Sequence, residues 1–141
     1  DSALTERRRR VAAAAEAQGI DVVLVTPGPD LRYLTGYDAT PLERLTCLLL
    51  PASGDPLLVV PVLERPAALD SPAAELDLLA WDETDDPVAV CARHLGPGVR
   101  AMAVDDRRWA EKVLRLRAAA PDVRQVAAGR VLTEQRMRKL Q

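Results

Sequence analysis

The stretch Val22-Val23-Leu24-Val25-Thr26-Pro27-Gly28-Pro29-Asp30-Leu31-Arg32-Tyr33-Leu34-Thr35-Gly36-Tyr37 decides how the rest of the chain is read. Its first four residues are an unbroken apolar run rich in β-branched side chains, the pattern of a strand buried on both faces. Thr26-Pro27-Gly28-Pro29 terminates that strand, since proline has no N–H to give to a sheet ladder. Asp30 is placed to cap a short helical turn carrying Leu31 and Leu34, which Gly36 closes.

On the amino-terminal side, residues 4–18 read as a helix, with Ser2 as its cap and Gly19 just past its end. Leu4, Val11 and Ala15 share one side at helical spacing. On the carboxyl side, residues 37–43 form an irregular segment containing Pro41. Two apolar runs follow, Thr46-Cys47-Leu48-Leu49-Leu50 and Leu57-Leu58-Val59-Val60, joined by Pro51-Ala52-Ser53-Gly54-Asp55-Pro56. A short connection rich in turn formers between two such runs predicts a hairpin. Residues 64–69 suggest a short helix broken at Pro66, and 76–81 another strand. Asp86-Pro87 opens a helix, with Val88, Cys91, Ala92 and Leu95 at i, i+3, i+4, i+7 and Gly96 ending it. Residues 99–104 read as a strand. Asp106 then caps a helix carrying Trp109, Val113, Leu116 and Ala120, which Pro121 stops. A last strand covers 123–127, and Leu132 begins a further helix. Strands alternating with helices predict an α/β layer structure, and the hairpin makes its sheet mixed.

The 141 residues suit one domain with its own core, and 48% hydrophobic with 28% charged residues argue against disorder. With 3% aromatics and no Phe, that core must come from Leu, Val and Ala. A net charge of −2 with no basic face speaks against nucleic acid as a partner. Arg7-Arg8-Arg9-Arg10 point in four directions on a helix and read as a solvated face. No apolar run approaches the roughly 18 residues that span a bilayer, and no secretory signal is visible, so no membrane role is expected. Cys47 and Cys91 fit no metal or redox spacing. They read as buried thiols in a reducing compartment, which places the protein in the cytoplasm.

Few residues carry chemistry. His94 is the only histidine, and Cys91-Ala92-Arg93-His94 lacks a second ligand pair, so no metal site is expected in this chain. Asp85-Asp86 and Asp105-Asp106 each precede a helix, where carboxylates satisfy free N–H groups. The Pro27-Gly28-Pro29 turn has neither phosphate-loop spacing, and its prolines remove donors, which counts against a small nucleotide-binding domain. Ser2, Ser53 and Ser71 are the only serines, and none sits in a nucleophile elbow. The polar segment Tyr37-Asp38-Ala39-Thr40-Pro41-Leu42-Glu43-Arg44 remains, read from composition as a surface loop with a solvated Arg.

Asp30-Leu31-Arg32-Tyr33-Leu34-Thr35-Gly36-Tyr37 resembles the "N/D-x-x-Y-L-T-G-F/Y" opening signature of the creatinase/aminopeptidase P/prolidase family. Arg136-Met137-Arg138-Lys139 resembles the "R-x-x-K" element where members of that family pass into a metal-dependent catalytic domain. The resemblance implies a creatinase-type amino-terminal domain over 1–131 with a six-stranded mixed sheet flanked by helices, a ribonuclease H-like layer architecture. Residues 132–141 would begin the helix leading to a catalytic domain absent from this chain, with Leu132, Met137 and Leu140 as its apolar side. The implied parent is a cytoplasmic Xaa-Pro dipeptidase or aminopeptidase using two divalent metal ions (Mn, Co or Zn) bound downstream, so the fragment itself is expected to be inactive. Implied partners are its own catalytic domain, a second copy in a homodimer, and a peptide substrate. In creatinase-type relatives the 37–44 connection reaches the neighbouring subunit's active site. Arg44 matches a substrate-contacting Arg there, with Tyr37 and Leu42 as companion contacts, Leu42 standing where some relatives carry an aromatic. A stand-alone protein-interaction module that has lost catalysis is the first alternative, and a small α/β nucleotide-binding domain the second.

Overall fold

A computed structural model describes residues 2–39, 44–104, 110–129 and 131–132. Its centre is β1 (Val22–Val25), all four residues of which are buried. The other strands are β2 (Cys47–Pro51), β3 (Leu57–Pro61), β4 (Asp77–Trp81), β5 (Ala101–Val104) and β6 (Arg124–Ala127). They form one six-stranded sheet in the order β4-β3-β2-β1-β5-β6. The β1–β2 and β2–β3 pairs are antiparallel, and the β1–β5, β3–β4 and β5–β6 pairs are parallel. The sheet is mixed because a hairpin sits among parallel crossovers.

Both faces are covered, which is why the strand sequences lack polar alternation. Val23, Val25, Leu48, Leu50, Leu58, Val60 and Ala103 point into one core cluster, with Val11 and Ala15 of α1 (Ser2–Ala17) and Leu31 and Leu34 of α2 (Pro29–Thr35). Val22, Leu24, Cys47, Leu49, Val59, Met102 and Val104 point to the other face. There they meet Val88 and Cys91 of α4 (Pro87–Arg93) and Leu116 of α5 (Ala110–Ala119). Each fully buried Leu contributes roughly 1.5–3 kcal/mol by removal from water. The remaining helix, α3 (Arg65–Leu69), follows a 3₁₀ turn at Val62–Glu64, and a second 3₁₀ turn covers Pro72–Glu75.

Several local expectations need correction. Ser2 is the first residue of α1 and not the residue before it. The cap position of α2 is Gly28, with no side-chain bond; Pro29, whose fixed φ suits a first helical residue, moves the start forward. Asp30 therefore sits in the first turn, where its charge suits the helix dipole. Pro66 does not break a helix; it lies in the first turn of α3. Asp86 does cap α4, its Oδ1 accepting from the Val88 N–H at 3.1 Å. Asp85 instead closes the preceding loop by accepting from the Asp82 N–H at 3.0 Å. Asp105, Asp106 and Trp109, the side chain of Val113, and 133–141 with Arg136, Met137, Lys139 and Leu140 lie outside the described residues. Leu132 is buried in the first cluster together with Val131.

The arginine run is not a uniformly solvated face. Arg8 is 7% exposed and donates to the Leu34 carbonyl at 2.8 Å and to Glu75 Oε1 at 2.7 Å. Arg7 lies over the Tyr33 ring, 4.3 Å from its centroid, and donates to the Tyr33 carbonyl at 3.0 Å. The reason is periodicity: Arg8 belongs to the same helical stripe as Leu4, Val11 and Ala15. It ties α1 to the end of α2 and to the Pro72–Glu75 turn. At that corner Gly36 ends α2 with φ 76°, and a Cβ there would come within 2.8 Å of Pro72.

Candidate functional site

Register places Arg44. Cys47 opens β2 opposite Val59 near the end of β3, and Pro61 at that end pairs with Trp81 at the end of β4. Arg44, the Val62–Glu64 turn and the residues after Trp81 therefore gather at one end of the sheet. The same end receives the carboxyl ends of β1 and β5, since Val25 pairs with Leu48 and Leu24 with Val104. Open α/β sheets present ligand sites at this kind of edge.

The segment leading to Arg44 is anchored before it reaches the surface. Thr35 donates to the Leu31 carbonyl at 2.7 Å, and its hydroxyl accepts the Tyr37 N–H at 3.0 Å. Tyr37 is 4% exposed, and its hydroxyl donates to Glu64 Oε1 at 2.6 Å. Burial, then the bond and charge of Glu64, push the Tyr37 hydroxyl pKa well up from its ordinary value. Ala39 is buried. On the far side Leu45 and Thr46 are buried as well, and the indole N–H of Trp81 donates to the Leu45 carbonyl at 2.9 Å.

Arg44 itself faces solvent. Its side chain is 45% exposed and lies 3.5 Å from Glu83, which is 86% exposed. Tyr37 is thus a buried anchor whose hydroxyl is already engaged, not a side chain open at the surface. Leu42 lies outside the described residues. At this end the Val62–Glu64 turn carries the exposed apolar residues Val62 and Leu63.

The other chemistry-bearing residues are occupied structurally. His94 lies at the end of α4, its Nδ1 2.9 Å from the Val90 carbonyl oxygen. Cys47 and Cys91 are buried free thiols with sulfurs 3.7 Å apart. The hydrogen bond with Cys91, then burial, raises the Cys47 thiol pKa well above its ordinary value, as expected for an unreactive pair. Asp21 Oδ2 accepts from the Arg100 and Ala101 N–H groups, tying the start of β1 to β5. Among the described residues no group of three or more His, Cys, Asp or Glu could hold a metal ion. Nor is any described helix long and apolar enough to cross a membrane. Two open grooves, of about 600 and 540 Å³, flank the β2–β3 turn at the opposite end of the sheet from Arg44.

Sequence reading missed Glu64, Trp81, Glu83 and the buried role of Arg8. Trp81 alone carried a usable signal, since a buried indole N–H at a strand end must find an acceptor.

The family model of the creatinase/prolidase N-terminal domain matches residues 7–138. The chain belongs to that family. It is 44% identical over 142 aligned residues to "Probable dipeptidase PepE" of Mycobacterium tuberculosis (strain ATCC 25618 / H37Rv), covering 99% of this chain and 38% of that protein. It thus spans under two fifths of the length of that curated relative. The crystal structure of dipeptidase PepE from Mycobacterium ulcerans superimposes with a TM-score of 0.88 at 40% identity, over 96% of this chain and 37% of that one. The N-terminal domain of cytoplasmic peptidase PepQ from Mycobacterium tuberculosis H37Rv matches at a TM-score of 0.72 and 23% identity. That match covers 91% of this chain and 97% of the solved domain, and it supports the fold.

Proposed function

We propose that this chain is the non-catalytic amino-terminal domain of a cytoplasmic, homodimeric Xaa-Pro dipeptidase or aminopeptidase. Its role is to shape the substrate entrance and to supply Arg44 to the active site of the second subunit. The observation that carries this reading is the contrast at one sheet end between a firmly anchored base and an exposed, weakly paired arginine. A guanidinium offers a planar pair of donors that suits the terminal carboxylate of a short peptide. Tyr37 serves by holding the segment on Glu64, and Leu42 is assigned a companion substrate contact by resemblance alone. Val62 and Leu63 add apolar area at the same end, which favours association there. Relatives and structural neighbours named as dipeptidases and peptidases support the peptidase assignment.

The described residues do not suit the two divalent ions that such chemistry uses, because they contain no ligand cluster. We assign those ions to a downstream catalytic domain, where they would activate water and polarise the scissile carbonyl. The test is to assay the parent protein against Xaa-Pro and Xaa-Ala dipeptides, with and without Arg44→Ala. The expected result is a preference for proline, and a loss of roughly 1.5–3 kcal/mol in kcat/KM from Arg44→Ala, seen as a raised KM. Absence of Xaa-Pro hydrolysis, or an unchanged kcat/KM in the variant, would overturn the reading.

A further inference from the structure

Two contacts from the end of β4 and the residues just after it bear on Arg44 and its neighbour Leu45, and they differ in kind. The main chain immediately after it is fixed by the Trp81 indole N–H on the Leu45 carbonyl, 2.9 Å apart. Both partners there are buried, Trp81 at 8% and Leu45 at 4% exposure. The guanidinium, by contrast, rests 3.5 Å from Glu83, with both side chains well exposed. Trp81 is the last residue of β4, and Glu83 follows it by two positions, so one strand end supplies both contacts.

The asymmetry suits a side chain that must be aimed yet released. A buried hydrogen bond at the base sets where the side chain emerges and reduces the ordering left to do on binding. An exposed ion pair is weak, because water competes for both charges, so a second carboxylate can replace the first without stranding a buried charge. We propose that Trp81 and Glu83 are positioning residues for Arg44: Trp81 fixes the main chain of the next residue through the Leu45 carbonyl, and Glu83 holds the guanidinium until a substrate carboxylate displaces the glutamate. This rests on the reading of Arg44 as the carboxylate-recognising residue. No covalent change is involved; the guanidinium exchanges one anionic partner for another.

The test uses the parent protein and steady-state kinetics on an Xaa-Pro dipeptide with a free carboxylate. Glu83→Gln removes the competing charge and should lower KM about two- to fivefold with kcat unchanged. Trp81→Phe keeps a ring but deletes the N–H, and should raise KM about three- to tenfold, again with kcat unchanged. Both shifts should vanish in an Arg44→Ala background. Shifts that persist there, or the absence of any shift while Arg44→Ala still raises KM, overturn the positioning roles and leave the reading of Arg44 standing. If Arg44→Ala itself changes nothing, both fall together. Hydrogen exchange on this chain adds a readout free of activity: the Trp81 indole N–H, buried and bonded to the Leu45 carbonyl, should exchange about tenfold or more slowly than a free indole N–H. Exchange as fast as that of a free indole would refute the clamp.

Discussion

Arg8 and Arg44 show how differently one residue type is used in two regions of this domain. Arg8 sits where α1, the end of α2 and the Pro72–Glu75 turn meet, 7% exposed, with its guanidinium shared between the Leu34 carbonyl and Glu75. Arg44 stands at the carboxyl end of the sheet, 45% exposed, facing one exposed carboxylate at 3.5 Å. Removing the first strands a buried carbonyl, whereas removing the second strands nothing. The first region is therefore read as structural, and the second as open to a ligand.

The fixed corner should show the largest effects. Gly36→Ala places a Cβ against Pro72 in a left-handed conformation, and urea unfolding should show a loss of about 2–4 kcal/mol. A loss under about 0.5 kcal/mol, the scale of an ordinary surface change, would mean the corner is softer than drawn. Arg8→Met keeps the apolar stem and deletes the donors, with an expected loss of about 2–3 kcal/mol. A stability equal to wild type would erase the contrast with Arg44.

Tyr37 lies between the two regions and should give an intermediate result. Tyr37→Phe removes the bond to Glu64 and should lower stability by about 1 kcal/mol. It also has a pH signature. The folded hydroxyl holds its proton to higher pH than the unfolded one, so above the unfolded pKa of 10.0 the unfolded chain binds fewer protons. Stability is then fully present below that range and falls as pH rises through it. Tyr37→Phe should show a shallower alkaline loss than wild type, and identical slopes would refute the buried, engaged hydroxyl. Smallest of all, Arg44→Ala should change folding stability by no more than about 0.5 kcal/mol, as for a surface residue with one exposed pair.

What the sequence made legible was local. The apolar runs of β1, β2 and β3 could be read because a sheet covered on both faces needs continuous apolar strands, and the Asp86 cap because Asp-Pro marks a helix start. Asp30 was misplaced by the same kind of rule, since Pro29 can begin the helix without a side-chain cap. Arg8 escaped because its partner Glu75 is 67 residues away, and a charged residue within an apolar stripe reads as solvated until that partner is known. The bond between Trp81 and Leu45 spans 36 residues and leaves no periodic trace. Arg44 was read from composition as a solvated loop residue and singled out through resemblance; its loose pairing with Glu83 emerged only from the fold.

The most direct measurement of the central claim uses mixed dimers of the parent protein. One subunit carries Arg44→Ala, and the other carries an intact Arg44 but an inactivated catalytic domain. The functional active site then lies in the subunit that lacks Arg44. If Arg44 acts across the dimer, the intact Arg44 of the inactivated subunit should restore a wild-type KM. A KM as high as that of the Arg44→Ala homodimer would contradict action across the dimer.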